Sequence, residues 1–326
     1  MSQTTTLSMS TLVSSGGGRI WLHRYAWALV GLTLVLILAG GNVTSRDAGL
    51  AVPDWPLSFG SVNPDGWMTN MGGQSPGVRD EHGHRLIGAT VGLMVIGLVI
   101  WLRRVEQRGW VRTMGYVALA AVIVQGVMGG LRVTEKSLAL AIVHGCFAQA
   151  FLCLTIALAV ATSPRFPGGV RFGGVDQPRD QALRFWTAGL VGAIYVQLIL
   201  GALLRHLGGT PAVVVHVLGA LVVGGCLVMA ALHVFSRPES ETSLGGWTIG
   251  LFLLYGFQIL LGVAAYVLVQ SIVGADSLHL ARIYVPTIHV TLGAIVLGMS
   301  FGIAFRAYAL TNPRVAAAGP TEGVTV

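Results

Sequence analysis

The amino-acid sequence predicts an all-α membrane protein with eight transmembrane helices, arranged as two four-helix bundles in parallel repeat, with both termini on the cytoplasmic side. Three observations carry that expectation. The 326 residues are 54% hydrophobic and only 10% charged, which suits a polytopic membrane protein and no sizeable soluble domain. With charged residues taken as fences, apolar spans lie at 25–45, 86–102, 113–131, 137–164, 185–204, 207–236, 242–275 and 283–305. Each is long enough, or nearly so, to cross ~30 Å of hydrocarbon. Finally, a Gln-x-x-x-Gly pattern recurs at Gln125–Gly129, Gln197–Gly201 and Gln258–Gly262, with Leu36–Gly40 at the corresponding place in the first span. The step from Gln125 to Gln258 is 133 residues and that from His84 to His216 is 132, so a unit of four helices is doubled. Because four is even, both copies enter from the same side, and the pseudo-twofold axis lies along the membrane normal.

Residues 1–18 are rich in Ser, Thr and Gly and lack the apolar core and cleavage site of a signal peptide, so a disordered tail is expected there. Residues 19–164 form the first bundle. Its outer loop, 46–83, contains Gly49-Leu50-Ala51-Val52-Pro53-Asp54-Trp55-Pro56, whose apolar residues and prolines suggest an ordered cap on the membrane surface. An interfacial segment anchored by Trp55 is the plainer alternative. Residues 165–184 read as a cytoplasmic linker, 185–310 as the second bundle and 311–326 as a disordered tail. Of the 20 Lys and Arg, an N-in orientation puts 13 inside and seven outside, which the positive-inside rule favours. The formal charge of +7 is then a matter of topology and does not point to nucleic acid. The Gln-x-x-x-Gly pattern suits close helix packing better than chemistry. Cys146 and Cys153 are about 10 Å apart in helical rise, too far to bond, and these two and Cys226 read as packing residues.

The chemistry lies with the histidines. His84, His144, His216 and His289 fall in the even-numbered spans near their outer ends, two per repeat. Two imidazoles facing each other across a four-helix bundle are what a six-coordinate haem iron requires, and the pairs are His84 with His144 and His216 with His289. Zinc is disfavoured, since no intramembrane carboxylate or thiol completes a tetrahedral set in each repeat. Arg46, Arg85, Arg132 and Arg205 sit at the outer mouth, where they could pair with haem propionates or serve as ordinary snorkelling flank residues. His23, His82, His206, His233 and His279 read as solvated or interfacial. The halves differ at one place: three residues before His84 stands Glu81, one helical turn away, whereas three before His216 stands Val213. Glu81 is either a polar collar at a helix end or an acid beside a reacting group. If it is the latter, the first bundle binds a substrate haem and the second a resident haem b.

Glu81-His82-Gly83-His84-Arg85-Leu86-Ile87-Gly88, the Gly49-to-Pro56 stretch before it and the His144, His216 and His289 helices after it resemble the haem A synthase family over residues ~20–308. The resemblance implies a multi-pass enzyme of the bacterial inner membrane, with its haem sites toward the outer face, that oxidises the C8 methyl group of haem O to the formyl group of haem A for cytochrome oxidase. Carried over, the family's carboxylate falls on Glu81, its haem O ligands on His84 and His144, and its haem b ligands on His216 and His289. It further implies haem O as substrate, haem O synthase as supplier, an electron partner the sequence does not name, contact with lipid and none with nucleic acid; a homo-oligomer is left open. The cysteine pairs that some members carry in the first and third outer loops are missing here. A dihaem b-type electron-transfer subunit is the alternative and would tolerate Glu81→Gln. A proton-relay transporter would bind no haem, and prenyl transfer lacks its paired Asp-rich motif.

Overall fold

The computed structural model describes residues 9–69, 77–164, 178–238, 244–270 and 278–311. Among these residues there are eight helices: α1 (Met9–Ser45), α2 (Gly77–Val105), α3 (Gly109–Thr134), α4 (Leu138–Ala161), α5 (Pro178–Leu207), α6 (Thr210–Phe235), α7 (Gly245–Gln270) and α8 (His279–Leu310). All eight are long and apolar enough to cross a bilayer, so the chain is an all-α, multi-pass membrane protein.

Helices α2, α3, α5 and α8 run past both charged fences of their apolar spans and α1 past its first, whereas α4, α6 and α7 end within theirs. Charge marks where hydrocarbon ends, whereas the backbone keeps its internal hydrogen bonds on into the headgroup region. The tail expected over 1–18 is therefore helical from Met9, the linker expected over 165–184 is helical from Pro178, and the loop expected over 46–83 gives way to helix at Gly77. The remaining parts of these stretches, 1–8, 165–177 and 70–76, and the C-terminal 312–326, lie outside the described residues. Helix ends follow local chemistry. Ser137 caps α4 by accepting from the Leu140 N–H at 3.2 Å, Pro211 opens α6, and Gly208 and Gly209 turn the chain from α5 to α6 at φ 69° and 90°, a conformation that suits glycine.

Helices α1 to α4 pack in a closed ring, each on the next and α4 on α1; α5 to α8 do the same. Between the rings, α8 packs on α1 and α4, and α4 packs on α5. The α4–α8 crossing is close at Gly298, where a Cβ would stand 2.7 Å from Ile156 Cδ1. Each ring has its own apolar core. Leu22, Leu29, Val91, Val95, Leu98 and Leu152 fill the first, and Leu183, Leu190, Val223, Leu227, Leu251 and Leu297 the second. Both cores lie toward the end of the molecule away from the four histidines, whose half of each bundle contributes less to them.

Candidate haem sites

Four imidazoles are seated in one repeated way. A Cβ on Gly40 would stand 3.1 Å from His84 Cε1; the corresponding distances are 3.0 Å for Gly129 and His144, 3.1 Å for Gly201 and His216, and 2.9 Å for Gly262 and His289. Each of these four histidines thus lies edge-on against a glycine of the helix before it, which no larger residue would permit without displacing the ring. The glutamine one turn earlier completes the seat. Nε2 of Gln125, Gln197 and Gln258 donates to the main-chain carbonyl of His144, His216 and His289 at 2.9, 2.8 and 3.0 Å. The packing role expected of the Gln-x-x-x-Gly pattern is therefore specific: it fixes the histidine-bearing helices. In the fourth seat Leu36 replaces glutamine and lies against Gly88, where a Cβ would be 3.8 Å from its Cδ1.

The Nδ1 atoms of His84, His144 and His289 are buried without a partner at full hydrogen-bond geometry, and the carbonyls of Leu36, Gln125 and Gln258 face these rings as acceptors. A ring that points its Nδ1 proton at such a carbonyl keeps Nε2 for a metal, which is the usual orientation of a ligating histidine. His216 is held differently, with Gln197 Nε2 3.2 Å from its Nδ1. The His216 and His289 ring centroids are 6.5 Å apart. Two imidazoles bound to opposite faces of one iron through bonds of ~2 Å have centroids roughly 6.3 Å apart, so this pair suits a six-coordinate haem iron. His84 and His144 lie within electrostatic reach of each other, and both within reach of Arg132; Arg205 stands likewise toward His289.

The mouth of the first ring at the histidine end is roofed by residues 46–69. Glu81, 3% exposed, accepts from the Val52 N–H through Oε2 at 2.9 Å and pairs through Oε1 with Arg85 Nη2 at 2.8 Å. Arg85 also donates to the carbonyls of Val52, Asp54 and Leu57 at 3.0, 2.6 and 2.9 Å. Across the bundle, Arg132 Nη2 donates to the Gly49 carbonyl at 2.7 Å, and the Trp55 ring lies directly on Gly130 of α3, leaving no room for a Cβ. The Asp54 carboxylate accepts the Phe59 and Gly60 N–H groups at 2.7 and 2.8 Å. Burial pushes its pKa up, but those two N–H groups and nearby Arg85 outweigh this and hold it below the usual carboxylate range. Asp54 thus closes a turn of the cap.

His82 corrects the sequence reading. It is 2% exposed, not solvated, because its Nδ1 lies 2.8 Å from Ser58 Oγ and its ring lies 4.8 Å from that of Trp67. Arg46 pairs with Asp80 at 3.4 Å and donates to the Tyr284 hydroxyl at 3.0 Å, while Arg205 donates to Ser45 Oγ at 2.7 Å. Ser45 in turn bonds Thr287 Oγ1 at 2.6 Å, two residues before His289, so α1, α5 and α8 are stitched at the level of the sites.

Parts of this chain are similar to known proteins. Residues 79–216, which hold Glu81 and three of the four histidines, match the family described as cytochrome oxidase assembly protein, COX15-CtaA. The haem A synthase of Symbiobacterium thermophilum is 29% identical over 59% of this chain and 61% of its own, and that of Geobacillus kaustophilus is 27% identical over 57% and 56%. Over these stretches the chain is similar to haem A synthases. Its match spans about three fifths of the length of these two relatives. A protoheme IX farnesyltransferase of Haloarcula marismortui is 32% identical over 39% of this chain and 25% of its own.

Proposed function

We propose that this protein oxidises the C8 methyl group of haem O to the formyl group of haem A, with the substrate iron between His84 and His144 and a resident haem b between His216 and His289. One observation carries the reading: two histidine pairs share the same glycine-backed seats, yet among the described residues only the first pair lies beneath a cap that buries a carboxylate. Relatives named haem A synthase support the reaction, and one named for farnesyl transfer to protohaem IX supports a farnesylated haem as substrate and haem O synthase as its supplier.

In this reading residues 19–164 form the substrate half and 185–310 the cofactor half. Haem b, when bound, supplies one-electron redox chemistry. The chain does the rest. Its glycine seats set the ring edges, Gln125, Gln197 and Gln258 fix the helices behind three of the histidines, and Arg132 and Arg205 lie where propionates of the first and second haem can reach them. Each of two oxidations, methyl to hydroxymethyl and hydroxymethyl to gem-diol, takes its oxygen from water and gives up two protons and two electrons, the electrons passing to an external acceptor, and the gem-diol then loses water to the formyl group. Glu81 is the nearby proton acceptor, and its pairing with Arg85 fixes where the carboxylate points. The cap excludes bulk water from that edge. Expressed in a host that makes haem O, the protein should convert it to haem A, read by chromatography of extracted haem; haem O left unconverted at full expression contradicts the proposal.

The basic residues argue for sites facing outward. A periplasm-active reporter fused after Pro56 or Thr210 should be active, and one fused after Gly174 inactive. The reverse pattern would place the sites on the cytoplasmic side.

A further inference from the structure

His144, His216 and His289 are each backed by a glutamine that ties their helix to the one before it; His84 has Leu36 in that place. A membrane-embedded amide-to-carbonyl bond between helices shifts an equilibrium by about fivefold, so the first histidine lacks a support of that size. It has another support. Glu81, one turn before His84, and Arg85, directly after it, are bound to the cap through the Val52 N–H and the carbonyls of Val52, Asp54 and Leu57. His82 adds a bond to Ser58 of the cap. The cap is in turn held from the far side of the bundle, by Arg132 on the Gly49 carbonyl and by Trp55 on Gly130. At the corresponding place in the second half there is only the Gly208–Gly209 turn, and there the glutamine Gln197 is present.

We infer that the cap substitutes for the missing glutamine: it is the positioning element for His84, and ligation by His84 depends on the cap being closed. His84 is then the one exchangeable ligand of the four, and its exchange is coupled to the opening that admits substrate to the first site. The inference rests on the reading of that site as a haem site.

The test uses the full-length protein purified from a haem O-producing host, reduced with dithionite and exposed to carbon monoxide, which binds ferrous haem only where an axial ligand has left. Wild type should form little adduct. Trp55→Ala, which removes one of the cap's two holds on α3, should raise the adduct at the first haem by about fivefold or more and leave the second unchanged. Gly49→Ala, which drives the Arg132 guanidinium off the cap, should do the same if Trp55→Ala fails to fold. Adding Leu36→Gln to either variant supplies the missing tie and should bring the adduct back toward wild type, which a general loosening of the fold would not allow. Gln258→Leu, by contrast, should raise the adduct at the second haem only. If the cap variants resist carbon monoxide as wild type does, or form adduct equally at both haems, or if Leu36→Gln gives no rescue, the coupling is wrong while the haem reading stands. A colourless wild type overturns both.

Discussion

His216→Ala and His289→Ala are each expected to remove haem b and cut haem content by about half, with the first site still able to hold haem O. The argument is geometric. The two rings stand 6.5 Å apart across the second bundle, so loss of either leaves a single imidazole and one open face. The first pair lies in a separate ring of helices with its own apolar core, so the damage should stay local. Pyridine haemochrome analysis of the purified variants reads the outcome directly. Loss of both haems together from a folded variant would mean that the two bundles do not bind independently.

Glu81→Gln is expected to lower haem A formation by ~100-fold or more while leaving bound haem largely intact. The amide is nearly isosteric and can still accept the Val52 N–H, and Arg85 keeps its three cap carbonyls, so cap and helix should hold. What is lost is the proton acceptor. Extracted haem should then show haem O or a hydroxylated intermediate accumulating. His84→Ala should differ by losing bound haem as well as product. A Glu81→Gln protein that makes haem A at the wild-type rate would reduce the carboxylate to a cap anchor. Asp54 of the cap, which accepts the Phe59 and Gly60 N–H groups, would then be the next carboxylate to test.

Much of this molecule was legible in the sequence because a bilayer simplifies the problem. Eight charge-free spans must be helices there, and histidines recurring at one depth are conspicuous. Helix ends were less legible, since charge reports the membrane boundary and says little of where backbone hydrogen bonds stop, as α2 illustrates by carrying Arg79, Asp80, Glu81 and Arg85 within it. The Gln-x-x-x-Gly pattern was visible, but that its glycines seat the imidazoles and its glutamines bond the histidine carbonyls depends on the rotation of neighbouring helices, which periodicity does not encode. His82 was misread for a related reason. Its polar neighbours suggested solvent, yet Ser58 and Trp67 reach it only once the cap has folded over α2.

The central claim, that each bundle carries one pair of axial histidines, is tested most directly by electron paramagnetic resonance of the oxidised, purified wild-type protein, with haem quantified in the same sample. The account predicts low-spin signals from bis-histidine iron at two sites per chain. A folded protein that is colourless, or that holds a single haem when haem O is supplied, would contradict it.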